Sequence, residues 1–253
     1  MSEIKIDNYE GKYNITRLAK RDIKYIVIHY TAGTSSAKGK ALSTAKYFNK
    51  TETKASADFI VDDETIVQYN QDLINQYTWH CGGSKYKTKG GSFYKKCTNA
   101  NSIGIELCST NKKKKVEDAN SESWYFTMGV FNNAVLLVCK LIEDLKVQGI
   151  EIPLENVIRH YEVNGKLCPG IIGWNADSGN ENEWISFKKE LNNLINNNHS
   201  DSKDLKDEVE KCKKEIEKWK KMYEEKEEEN KQLKSDISKL TDKLLKISEI
   251  AKS

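Results

Sequence analysis

Four histidines occur in this chain of 253 residues, and three of them stand beside glycine or aromatic residues. His29 closes the run Tyr25-Ile-Val-Ile-His-Tyr30. His80 lies in Trp79-His-Cys-Gly-Gly83, and His160 opens the stretch HYEVNGKLCPG. That stretch sets Cys168 eight positions after His160, with Lys166 between them and Pro169-Gly170 just beyond. Imidazole and thiolate are ligands that zinc prefers, and a catalytic zinc site takes three protein ligands and leaves a fourth position for water. Eight residues exceed one helical turn, so a loop closed by Gly165 and Pro169 has to bring His160 and Cys168 together, while His29 comes from a distant strand. Residue types and spacing alone leave a His29/His160/Cys168 site evenly balanced against three ordinary structural residues.

Glu106 is the second chemical feature. In Ile103-Gly-Ile-Glu-Leu107 it alternates with isoleucines. A carboxylate on the core-facing side of a strand is costly unless it is paired or lies near a cation. Strand alternation also permits Glu106 to face solvent. If it faces a reactive water instead, it becomes the natural proton carrier, and Lys166 could aim a cation at the same place.

The elements that must position these residues read as mixed α/β over residues 22–197. Lys24–Tyr30 is a β-branched and aromatic strand ending near a turn at Thr31–Gly33. Residues 41–49 have helical character. Ala57–Asp62 and Thr65–Tyr69 meet at Asp62, Asp63 and Glu64 as a hairpin, and Ser102–Cys108 is another strand. Residues 124–147 carry Val130, Ala134, Leu137, Val138, Leu141 and Leu145 at helical spacing, ending near Gly149; residues 181–196 form a second amphipathic helix. This mixture predicts one sheet with helices packed on it.

Beyond residues 196–200 the pattern changes. Leu205, Val209, Cys212, Ile216, Trp219, Tyr223, Lys226, Asn230, Leu233, Ile237, Leu240, Leu244, Ile247 and Ala251 follow an unbroken 4-3 spacing. With β-branched residues and Asn230 at a and leucines at d, this predicts a two-stranded parallel coiled coil and hence a homodimer. A long helix folding back on the preceding domain is the other reading. The expected domains are 1–197, a linker at 198–204 that holds His199, and a coiled-coil segment at 205–253.

Composition narrows the partners. The net charge is +3, and residues 201–253 hold 15 lysines against 15 acids, so the excess lies before them. Mild basicity suits an anionic polymer, but no basic run is interleaved with stacking aromatics, so nucleic acid is not expected. Lys112–Lys115 reads as a solvated loop. No secretory signal is read at MSEIKIDNYE, and no apolar run is long enough for a bilayer, so membrane insertion is not expected. The protein is expected to be cytoplasmic at synthesis. The six cysteines have irregular spacings and read as thiols, most of them buried and inert.

Four blocks together resemble the type-2 N-acetylmuramoyl-L-alanine amidases, a group that includes amidase-type phage lysozymes and is related to peptidoglycan recognition proteins. They are Tyr25–Gly33, Trp79–Gly83, Asn101–Leu107, and His160 with Lys166–Gly170, in the family's order. The resemblance implies a central mixed β-sheet flanked by helices, with zinc in a surface groove. It implies His29, His160 and Cys168 as zinc ligands, Glu106 as the catalytic glutamate, and Lys166 beside the scissile carbonyl. His80 and Trp79 are read as groove residues that contact glycan, with a polar supporting role for His80 as the alternative. Two departures stand out: Asp58 in Ser56-Ala-Asp-Phe59 replaces a usual histidine, and no tyrosine occurs between Ala55 and Asp62, where some phage members use one.

The implied reaction is hydrolysis of the amide joining N-acetylmuramic acid to the L-alanine of the stem peptide. The expected role is that of a phage or prophage endolysin acting on the bacterial cell wall after release, its tail raising wall affinity through avidity. A cytoplasmic amidase that recycles muropeptides and a non-catalytic peptidoglycan-binding module are the alternatives.

Overall fold

The structure is a computed structural model that describes residues 5–250; the side chains of 198–209, 212, 223, 225, 229, 236, 242 and 244–250 lie outside the description. Among the described residues there are ten strands: β1 (Ile6–Asn8), β2 (Ile15–Arg17), β3 (Tyr25–Tyr30), β4 (Phe59–Val61), β5 (Ile66–Gln68), β6 (Gln76–Thr78), β7 (Ser102–Leu107), β8 (Thr110–Asn111), β9 (Trp124–Tyr125) and β10 (Val157–Arg159). The helices are α1 (Lys40–Phe48), α2 (Met128–Val147), α3 (His160–Asn164) and α4 (Asn182–Ile250).

Six strands form the main sheet in the order β1-β5-β4-β7-β3-β10, and only β4 with β5 is antiparallel. β3 and β7 are the central pair. Their near-continuous apolar runs are what a strand covered on both faces requires. Alternation sorts the side chains. Ile26, Ile28, Ile103, Ile105 and Leu107 share a core with Val130, Ala134, Leu137, Val138, Leu141 and Leu145 of α2 and with Trp184, Phe187 and Leu191 of α4. The opposite face packs Ile60 and Val67 against Ala41, Ala45 and Phe48 of α1, and Val27 against Cys81, Cys97 and Val163. His29 and Glu106 belong to this second face by the period-two rule.

The expected hairpin at 57–69 is β4–β5, and Asp62 explains its acidic turn. Its Oδ1 accepts from the Glu64 and Thr65 N–H groups at 3.0 and 2.6 Å, and its Oδ2 accepts from the Ala41 N–H at the start of α1 at 3.0 Å. One buried carboxylate thereby shapes a turn and fills a helix end. The helix expected from residue 124 starts instead at Met128. Thr127 accepts the Val130 N–H as its N-cap, and Trp124–Tyr125 pairs with β8. The loop expected to begin at His160 begins instead as the short helix α3, ended by Gly165 at φ 84°. A side chain at Gly165 would be strained by that backbone and would meet Thr88 Oγ1 at 2.6 Å.

Contacts divide the chain into two compact units, Met1–Ile195 and Asn196–Ser253. Residues 198–204, expected as a linker, fall within the span of α4. In the second unit Ile216, Trp219, Leu233, Ile237 and Leu240 are exposed, between 54% and 65%. Lys226 and Asn230 are exposed as well, and the heptad positions Leu205, Val209, Cys212, Tyr223, Leu244, Ile247 and Ala251 lie outside the described side chains. No described helix is long and apolar enough to cross a membrane.

Candidate active site

The site forms at the carboxyl ends of parallel strands, where open α/β sheets place their ligands. His29 on β3 is the direct register partner of Glu106 on β7, so both side chains leave the same face. On the other side of β3, Arg159 of β10 pairs with Ile28. His160 is the next residue, and its ring lies 4.8 Å from that of His29, centroid to centroid. The return of the chain after α3 supplies Cys168. Its carbonyl accepts the Tyr161 N–H at 2.9 Å, its N–H donates to the Lys166 carbonyl at 2.7 Å, and its Sγ lies 3.8 Å from His29 Nδ1.

His29, His160 and Cys168 each bring one ligand atom within 4.8 Å of the others, and all three residues are buried. The three therefore meet as the sequence resemblance implies. Their surroundings fit a zinc ion. Both ring nitrogens of His160 are buried with no hydrogen-bond partner among the described residues. Leaving such atoms unpaired costs several kcal/mol by order of magnitude, and a cation coordinated by one of them relieves part of that cost. Two imidazoles and a thiol are a donor set suited to zinc. Burial also lowers the His29 pKa well below its ordinary value and that of His160 to about 3, so both imidazoles are neutral. Burial pushes the Cys168 thiol up to about 12, a preference for the neutral form that a bound dication reverses.

Glu106 Oε2 is likewise buried without a partner. Desolvation raises the Glu106 pKa to about 7, against the opposing pull of Lys166. A carboxylate poised there can take and return a proton near neutral pH. Lys166 and Cys168 line the same groove as His29, Glu106 and His160, an open cavity of about 910 Å³.

Trp79 lines this groove and is 39% exposed, with its indole N–H donated to Thr16 Oγ1 at 2.9 Å. His80 is buried: its Nδ1 lies 3.1 Å from His29 Nε2, and its Nε2 faces the Ser102 carbonyl at 3.4 Å. Exposed Tyr47 of α1 and Tyr86 also line the groove. The sequence reading missed both, because isolated tyrosines on a helix surface and in a loop carry no periodic signal.

Asp58 does not line the groove. It is fully buried beneath it, accepting from Asn70 Nδ2 at 2.7 Å, Thr78 Oγ1 at 2.9 Å and the Gly104 N–H at 2.7 Å. Arg21 Nη1 lies 4.0 Å from its Oδ1. The departure at position 58 is thus accommodated as a buried ion pair. Of the other expectations, the Lys112–Lys115 turn is exposed, and Cys81, Cys97, Cys108, Cys139 and Cys168 are buried and form no disulfide among the described residues. The Cys212 side chain lies outside the description.

Against this geometry, a family model described as N-acetylmuramoyl-L-alanine amidase matches residues 19–171, which include every residue of the cluster. The chain belongs to the type-2 N-acetylmuramoyl-L-alanine amidase family. It is 34% identical over 146 residues to the N-acetylmuramoyl-L-alanine amidase CwlH of Bacillus subtilis (strain 168), covering 57% of this chain and 46% of that protein. The chain thus spans about half the length of that relative. Among solved structures, it is similar to a mutant endolysin from Bacillus subtilis at 28% identity and TM-score 0.51, covering 75% of this chain and 99% of the other. It is similar to the catalytic domain of XlyA at 27% identity and TM-score 0.51, with 74% and 99% covered.

Proposed function

We propose that this amidase-family chain is a zinc-dependent N-acetylmuramoyl-L-alanine amidase that cleaves the muramic acid–L-alanine amide of peptidoglycan. The observation that carries the reading is the meeting of His29, His160 and Cys168 beside a half-buried Glu106, whose Oε2 is enclosed, at the floor of an open groove. His29, His160 and Cys168 would hold the metal, Cys168 as thiolate ligand and not as nucleophile. Zinc bound there supplies Lewis acidity and lowers the pKa of a water to roughly 7. Glu106 accepts the proton of the attacking water and returns it to the departing alanine amine. Lys166 offsets negative charge growing on the carbonyl oxygen. Trp79 offers an apolar face to the glycan beside these groups, and His80 borders the groove from below.

Likeness to an endolysin and to the XlyA catalytic domain favours a phage or prophage endolysin working on the cell wall. The exposed Ile216, Leu233, Ile237 and Leu240 favour pairing of the tail into a homodimer, which would add avidity on a polymeric substrate. A zymogram on purified walls, run beside a soluble muropeptide and with Glu106→Gln as control, tests the function. Clearing of walls is expected. Cleavage confined to soluble muropeptide would favour a recycling amidase, and wall binding without cleavage would leave only a recognition module.

A further inference from the structure

His80 is not one of the three clustered metal-site residues, yet its hydrogen bonds constrain one of them. Ser102 donates its hydroxyl hydrogen to the Thr98 carbonyl at 2.5 Å, so its Oγ is left as an acceptor. His80 Nε2 faces that Oγ at 3.2 Å and the Ser102 carbonyl at 3.4 Å. These two nearer partners accept, and Cys81 Sγ stands farther off at 3.7 Å, so Nε2 carries the hydrogen and Nδ1 of the neutral ring accepts. Two groups face Nδ1, His29 Nε2 at 3.1 Å and Cys81 Sγ at 3.3 Å. The thiol is a weak donor that also has Ser102 Oγ as an acceptor at 3.2 Å, so the nearer and stronger donor to Nδ1 is His29 Nε2. A neutral imidazole has one N–H, so the lone pair of His29 falls on Nδ1. That is the nitrogen on the side of Cys168 Sγ, 3.8 Å away.

The seat of His80 is equally specific. A Cβ added at Gly104 would lie 2.5 Å from His80 Cγ, so only glycine lets the ring rest on β7. The Gly104 N–H is tied to Asp58, and the Ser102 carbonyl also accepts from Arg21 Nη2. The His80 main-chain N–H donates to Asn99 Oδ1 at 3.0 Å.

From this chain of donors and acceptors we propose that His80 is a positioning residue for the metal centre: it fixes His29 in the tautomer that presents Nδ1 for coordination. Ser102 and Gly104 hold His80 in place to do so. Such partners of a ligating histidine set its ring orientation and typically contribute 10–100-fold in metal affinity. The inference rests on the zinc reading above but is separable from it, because the tautomers exist in the metal-free protein.

Two measurements test it. In zinc-free wild-type protein, long-range ¹H–¹⁵N spectra of the histidines should show His29 protonated at Nε2 and His80 protonated at Nε2. A His29 ring protonated at Nδ1 overturns the proposal. Competition with a chromophoric chelator should then show zinc binding weakened 10–100-fold in His80→Leu, which fills the space without an acceptor. His80→Asn, whose amide oxygen replaces Nδ1, should recover most of that loss. Equal loss in both variants, or wild-type affinity in His80→Leu, overturns the positioning role. Should His80→Leu not fold, the wild-type spectra and His80→Asn decide. A wild-type protein with the expected tautomers but no zinc binding would refute the zinc reading alone.

Discussion

Glu106 and His29 stand directly opposite one another across the parallel β3–β7 ladder, and their side chains leave the same face of the sheet. That single register brings the proposed proton carrier beside a metal-ligand candidate at the inner wall of the groove.

The first prediction concerns the proton. Glu106→Gln should retain zinc and lose at least about 100-fold in wall hydrolysis, within the usual range for removal of a general base. Parallel zinc analysis and turnover measurements check this. Substantial turnover by the variant would remove Glu106 from the mechanism.

The same residue predicts a pH dependence of stability in zinc-free protein. Its folded pKa is raised by desolvation to about 7 from the ordinary 4.5. The folded state therefore binds the proton more tightly than the unfolded state, and stability is lost as pH rises from about 4.5 through 7. The loss is capped at about 3 kcal/mol. Urea midpoints of wild type minus Glu106→Gln isolate this contribution, since the buried histidines are common to both. The difference should move against the wild type between pH 5 and pH 8; a flat difference would place Glu106 in contact with water.

Lys166 pulls the Glu106 pKa down. Lys166→Ala should therefore shift the ascending limb of the pH–rate profile to higher pH, besides lowering kcat by about 100-fold with zinc retained. An unshifted limb would separate the two residues.

Chelation should abolish hydrolysis and lower the melting temperature, and zinc should restore both, since a ligand that binds only the folded state stabilises it. His160→Ala and Cys168→Ser should bind zinc far more weakly than wild type in equilibrium dialysis. Full activity in metal-stripped protein would contradict the reading of the cluster.

Asp58→Ala should cost about 3–5 kcal/mol, the usual penalty for orphaning one member of a buried ion pair. It removes the carboxylate facing Arg21, whose guanidinium then keeps only backbone carbonyl partners. It also leaves the Gly104 N–H and the Thr78 hydroxyl without their acceptor and Asn70 Nδ2 with the Gln76 carbonyl alone. Chemical denaturation measures the cost, and a change below about 1 kcal/mol would mean that water replaces the carboxylate.

For the tail, sedimentation of the full chain should report a dimer, and a chain ending at Asn197 should report a monomer. Leu233→Lys combined with Ile237→Lys should convert the full chain to monomer. A full-length monomer would end the coiled-coil reading.

Much of this protein is determined locally. The apolar runs at Tyr25–Tyr30 and Ser102–Leu107 are strands wherever they are buried, and the helical spacing from Val130 to Leu145 needs only a core on one side. His29, Glu106, His160, Lys166 and Cys168 were visible as chemically capable residues, and four motif blocks together pointed to the family. Tertiary structure decided how they meet. β10 is only three residues long and carries no strong strand signal of its own, yet its pairing with β3 is what brings His160 beside His29. The role of Asp58 depended on Arg21, 37 residues earlier in the sequence, which became its partner only through burial. The contact between His29 and His80 likewise crosses 51 residues. Periodicity records which face of an element is buried; donors, acceptors and orphaned atoms are assigned only once distant strands share a register.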